Sequence, residues 1–96
     1  MKSQEVLNIL AMHQPELDEM GIKSLALFGS IARDEGAAES DVDLLVEFHR
    51  PIGLFQFARV RRNLSELLGC EVDLVTVAAL RKEMRDQILR EAIYAP

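Results

Sequence analysis

At 96 residues, 49% hydrophobic and 28% charged, the chain is sized for one domain around one core, read here over residues 1–96. No run is long and apolar enough to span a bilayer and nothing resembles a leader peptide, so the default expectation is a cytoplasmic protein with no membrane contact. The lone Cys70 excludes an internal disulfide and no Cys/His cluster suggests zinc, while a net charge of -5 disfavours a general nucleic-acid binder.

The first predicted element is a helix that Ser3 can cap, with Val6, Ile9, Leu10 and His13 on its apolar stripe. That position makes His13 a half-buried packing residue rather than a base. Pro15 interrupts or restarts the helix, and Gly21 ends it. Ile22 to Phe28 reads as a buried strand that stops sharply at Gly29. Ser30 to Arg33 is a short helix, and Asp34 to Ser40 is polar enough for a loop, with Asp34, Glu35 and Glu39 as exposed charges.

From Asp41 to Phe48 the residues alternate. Val42, Leu44, Val46 and Phe48 share one face, and Asp41, Asp43, Leu45 and Glu47 share the other. Arg50-Pro51 and Gly53 mark a turn, leaving His49 and Arg50 in a surface loop. The next helix has Phe57, Val60, Leu64 and Leu67 on its inner stripe and Gly69 as its stop, with Cys70 behind it as a small buried residue. Glu71 to Val77 is a third strand with Glu71, Asp73 and Val75 on one face. A last helix starts near Ala78, with Leu80, Met84, Ile88 and Ala92 spaced for packing and Tyr94 packing after it. The arginines and lysine of the two later helices read as solvated faces. Strands alternating with helices predict an α/β (α+β) fold: a small mixed sheet of about three or more strands flanked by helices.

Two features of this pattern carry chemistry. A strand puts residues i and i+2 on the same face, so Asp41 and Asp43 point together, whereas a helix would send them about 200° apart. Asp73, on another strand, joins them if the two strands are neighbours. Carboxylates crowded on a sheet repel unless cations or protons compensate, and magnesium prefers such hard oxygen ligands. Glu47 shares the face but lies farther along, as a solvated or ion-paired neighbour. At Gly29 the backbone can turn tightly and approach a phosphate without a Cβ in the way. Ser30 offers a hydroxyl, the helix start offers free N–H groups, and Arg33 lies within reach of the same anion. Alone, Gly29-Ser30 is an ordinary strand-to-helix turn with Ser30 as cap.

Gly29-Ser30, ten intervening residues and then Asp41-Val42-Asp43, each part preceded by an apolar strand, resembles the DNA polymerase β-type nucleotidyltransferase superfamily. The segment ALFGSIARDEGAAESDVDLLVEF is similar to the minimal nucleotidyltransferase (MNT) family, and EVDLVT holds a third aspartate where that family has one. The resemblance runs from Ile22 to the final helix. It implies that Gly29 and Ser30 hold triphosphate oxygens of ATP and that Asp41 and Asp43 coordinate two magnesium ions. It also implies that Asp73 binds the catalytic metal and helps orient or deprotonate the acceptor hydroxyl, with Arg33 in a phosphate or structural contact.

Larger relatives add domains that grip the acceptor, and so short a chain leaves those walls to a partner or to oligomerisation. The MNT family is commonly paired with a HEPN-domain protein in toxin–antitoxin modules. There the MNT member resembles an antitoxin that transfers AMP from ATP to a tyrosine of its toxin. Three functions stay open: adenylylation of a partner protein, a non-catalytic antitoxin acting by occlusion, and a transferase for a small molecule or an RNA end. The three aspartates favour catalysis, since a sheet need not gather them merely to pack.

Overall fold

The structure, a computed structural model, describes residues 2–33 and 41–95, Ser30 through its backbone only. The expected loop with Asp34, Glu35 and Glu39 lies outside the described residues. Two helices open the chain, α1 (Ser3–Met12) and α2 (Gln14–Glu19), and Pro15 sits in the first turn of the second. Proline is tolerated there because its missing N–H would have no partner inside the helix. One expectation fails at the start: Ser3 is the first helical residue and Lys2 the cap, with the Lys2 N–H donating to the Glu5 carboxylate at 3.3 Å. A glutamate three residues past the cap serves that role from inside the first turn, so the helix begins one residue early.

Next come β1 (Ile22–Phe28), α3 (Gly29–Ala32), β2 (Val42–Phe48), α4 (Leu54–Leu68) and β3 (Val72–Thr76). They follow the predicted order with boundaries shifted by a residue. The chain then makes a 3-10 turn (Val77–Ala79), forms α5 (Lys82–Glu91) and ends on β4 (Ile93–Tyr94). The sheet order is β3-β2-β1-β4, with β2 and β3 parallel and β1 antiparallel to both of its neighbours.

The core lies on one face. Val42, Leu44 and Val46 of β2 are buried against Val6 and Leu10 of α1, Leu17 of α2, and Val60, Leu64 and Leu68 of α4. The periodicities of two and of three to four therefore meet at one surface. Helix α4 stops at Gly69, whose φ of +71° lets its N–H turn back to the Ser65 carbonyl at 2.8 Å.

The link β2-α4-β3 steps outward along the sheet, while β3-α5-β4 returns across two strands to the far edge. Right-handed connections running in opposite directions put their helices on opposite faces. Ala26 and Leu45, paired across β1 and β2, are buried at 1% and 3% exposure yet lie outside the main cluster. Leu45 shares the face of the aspartates, so that face is partly roofed rather than wholly solvated.

The last segment corrects the expected packing stripe. Met84 is 52% exposed, Leu80 lies in the connection before α5, Ala92 lies beyond its end, and no residue of α5 is fully buried. Of the expected stripe Leu80, Ile88 and Ala92 are half-buried and Met84 is not; within α5 the half-buried positions are Arg85, Ile88, Leu89 and Glu91. Arg85, expected on a solvated face, has a buried Nε with no hydrogen-bond partner among the described residues. Tyr94 is 55% exposed rather than packed. The strand β4 was not expected; it is held by pairing with Ala26 and Leu27 and by the Ala95 N–H donating to the Leu25 carbonyl at 2.8 Å. Among the described residues no helix is long and apolar enough to cross a membrane.

Candidate active site

Three chain segments meet where β1 ends and β2 and β3 begin. Phe28 pairs with Asp43 across the antiparallel β1–β2 ladder, and Asp43 pairs with Asp73 across the parallel β2–β3 ladder. Neighbouring strands lie about 4.8 Å apart, so two carboxylates in register on one face are nearest neighbours. The Val42 N–H donates to the Glu71 carbonyl at 3.0 Å and fixes that register just before the two aspartates.

Burial and neighbouring charge act together on Asp43. Its carboxyl is held above the ordinary range, first by desolvation, then by the negative charges of Asp73 and Asp41 and a hydrogen bond with the Asp73 side chain; the Arg33 guanidinium partly offsets these. Asp41 and Asp73 are both exposed, Asp41 just before β2 begins. The aspartates therefore form a graded cluster, with a half-buried member between two solvated ones. Among the described residues no three side chains already converge on a single point as metal ligands. Magnesium does not demand that arrangement, because it keeps several waters and is commonly held by one or two carboxylates together with substrate phosphates. Crowded hard oxygens with too little positive charge nearby suit such an ion.

Gly29 is required twice over. Its φ is +77°, a region that side-chain-bearing residues avoid. A Cβ built there would collide with a carboxylate oxygen of Asp43 and lie 2.9 Å from its Cγ. The turn thus brings bare backbone directly against the central aspartate. Ser30 follows in α3, with its side chain outside the description. Arg33 caps the end of α3 and pairs with Glu91 of α5 at 3.2 Å, which ties the turn to the last helix.

Other singled-out residues fall where the sequence puts them. Glu47 reaches Lys23 at 3.9 Å between exposed side chains. His13 is half-buried and faces Glu16 at 3.6 Å. Cys70 packs at the edge of the core, and burial, helped by Asp41 and Glu71, pushes its thiol pKa up, the reverse of an activated nucleophile. Arg61 reaches Glu71 at 3.9 Å. The sequence missed the Glu91 contact; an acid in the last turn of a helix gives no signal of what it meets. A groove of about 760 Å3 between α2 and α4 lies on the far side of the sheet, so size alone does not mark the site.

Residues 9–95 match the protein family described as "Nucleotidyltransferase domain". The protein adenylyltransferase MntA of Thermococcus cleftensis is 38% identical over 92 residues, covering 95% of this chain and 93% of that protein. A structure solved as a candidate minimal nucleotidyltransferase superposes with a TM-score of 0.81 at 35% identity, over 97% of this chain and 95% of that one. A third likeness is to a chain from a complex of tri-AMPylated Shewanella oneidensis HEPN toxin with MNT antitoxin. Its TM-score is 0.60 at 15% identity, over 90% of this chain and 71% of that one, a similarity of fold.

Proposed function

Because the chain belongs to the nucleotidyltransferase domain family, we propose that this nucleotidyltransferase moves AMP from ATP onto a tyrosine hydroxyl of a partner HEPN toxin, and so acts as an antitoxin. One observation carries the reading. Asp43 and Asp73 stand in register on adjacent strands, with the Cβ-free backbone of Gly29 against the Asp43 carboxylate. Phosphate-binding turn and carboxylates are thereby one site rather than two motifs.

In the reaction the acceptor oxygen attacks the α-phosphorus of ATP, a new P–O bond forms, the bond to the bridging oxygen of the β-phosphate breaks, and pyrophosphate leaves. The backbone at Gly29-Ser30 and the Ser30 hydroxyl hold triphosphate oxygens, and Arg33 adds positive charge beside them. Asp41, Asp43 and Asp73 would hold two magnesium ions, whose chemistry is to neutralise the triphosphate and polarise the attacked phosphorus. Asp73, exposed at the sheet edge, orients the acceptor hydroxyl and takes its proton. Asp43, half-buried, serves as the fixed member of the set. The relative named a protein adenylyltransferase and the fold neighbour from a complex with an AMPylated HEPN toxin support protein as the acceptor class.

The test is intact-mass spectrometry of a HEPN-domain partner from the same organism, incubated with this chain, ATP and magnesium. An AMP-sized mass increase that vanishes in the Asp41→Ala/Asp43→Ala variant is expected. A toxin that is tightly bound and inhibited but unmodified would replace this reading with occlusion.

A further inference from the structure

The first turn of α4 leaves two large apolar side chains in water. Leu54 is 80% exposed and Phe55 88% exposed. Leu54 borders a hollow beside Leu74 and Val75 of β3, so Phe55 is the exposed ring of the α2–α4 side, and an exposed aromatic at the edge of a groove suits an interface anchor. Phe55 stands on a border. On one side is the groove between α2 and α4, about 760 Å3, which Glu16, Glu19 and Glu66 line together with Arg59 and the apolar Leu67. On the other side is a smaller depression that Phe55 shares with Arg59 and Arg62. Among the described residues none of Glu19, Glu66, Arg59 and Arg62 takes part in an ion pair.

One patch therefore holds a groove with three acids and apolar walls and, along its border, an aromatic ring flanked by Arg59, which lines both hollows, and Arg62. A separate partner would need only one of these halves. A two-fold interface needs both, because the same surface must contact itself. We propose that the chain forms a two-fold homodimer through α2 and α4. The Phe55 ring of each protomer enters the groove of the other, and Arg59 and Arg62 of one face Glu19 and Glu66 of its partner.

This pairing does not rest on the catalytic reading. Helix α4 buries Val60, Leu64 and Leu68 against the sheet face that also carries Leu44, opposite the face of Asp43 and Asp73. In the dimer both carboxylate sites point outward, each open to its own acceptor.

The experiment is analytical ultracentrifugation of the full chain from low micromolar to submillimolar concentration, at low and at high salt. A reversible monomer–dimer equilibrium is expected, weakened by salt because the charge pairs lie at the rim. Phe55→Asp is expected to weaken dimerisation by about tenfold or more, as a central aromatic anchor does, with an unchanged circular dichroism spectrum because the side chain is exposed. Arg59→Glu is expected to weaken it too, and a second change, Glu19→Arg, to restore part of the loss. A wild-type chain that stays monomeric throughout overturns the proposal, as does a dimer indifferent to Phe55→Asp. A monomer that binds a HEPN-domain partner and loses that binding in Phe55→Asp also overturns it, by giving the patch to that partner.

Discussion

Replacing Asp43 with asparagine should stabilise the metal-free protein while ending its activity. Asp43 and Asp73 are paired across one strand spacing, about 4.8 Å. Two unit charges at that distance repel by about 0.9 kcal/mol in water and by about 3.5 kcal/mol at an effective dielectric of about 20. Asp73 is exposed and Asp43 only half-buried, so the lower value governs and about 1 kcal/mol is released. For a chain of 96 residues that raises the melting temperature by about 4–8 °C. The sign follows from the raised carboxyl of Asp43. A carboxyl that keeps its proton more firmly when folded supports the fold at acid pH, and that support is lost as pH rises above the ordinary value of 3.8. The advantage of Asp43→Asn should therefore be complete at pH 7 and shrink towards pH 4. Thermal melts in EDTA at both pH values measure it, and magnesium with ATP should reverse the order by stabilising only the wild type. A variant that melts below the wild type at pH 7 in EDTA would refute the argument, because the carboxylates would then not be in conflict.

Gly29→Ala should abolish transfer and lower stability by about 1–2 kcal/mol, since alanine is strained at positive φ and its Cβ meets Asp43; a mass assay and a urea melt read the two effects. Leu64→Ala, at a core position with no exposure, should cost about 2–5 kcal/mol in urea unfolding. Glu91→Ala breaks a partly exposed pair with Arg33 and should change stability by less than about 1 kcal/mol with transfer retained, whereas Arg33→Ala should lower transfer as well. Calorimetry should find ATP binding that depends on magnesium and weakens in Ser30→Ala; binding indifferent to magnesium would count against the carboxylates as ion ligands.

Much of the fold was legible because its strongest elements obey simple periods. Alternation from Asp41 to Phe48 separated the buried Val42, Leu44 and Val46 from the aspartates, and Gly69 ended α4 where a left-handed residue was needed. The failures are local and have physical causes. Helix α5 packs beside α3 with half-buried positions that include Arg85 and Glu91 as well as Ile88, so its apolar spacing tells only part of its packing. Strand β4 is two residues long, too short for any period, and exists because β1 offers it an edge.

By itself the sequence determined which residue types the site has and that Asp41 and Asp43 leave their strand on one side, since that depends only on the two-residue repeat of an extended chain. Whether Asp73 joins them depended on β2 and β3 becoming neighbours in register. Whether Gly29 was a turn or part of the site depended on how close β1 brings it to Asp43. Both are contacts between segments distant along the chain, and only the packing of the sheet against α4 brings those segments together.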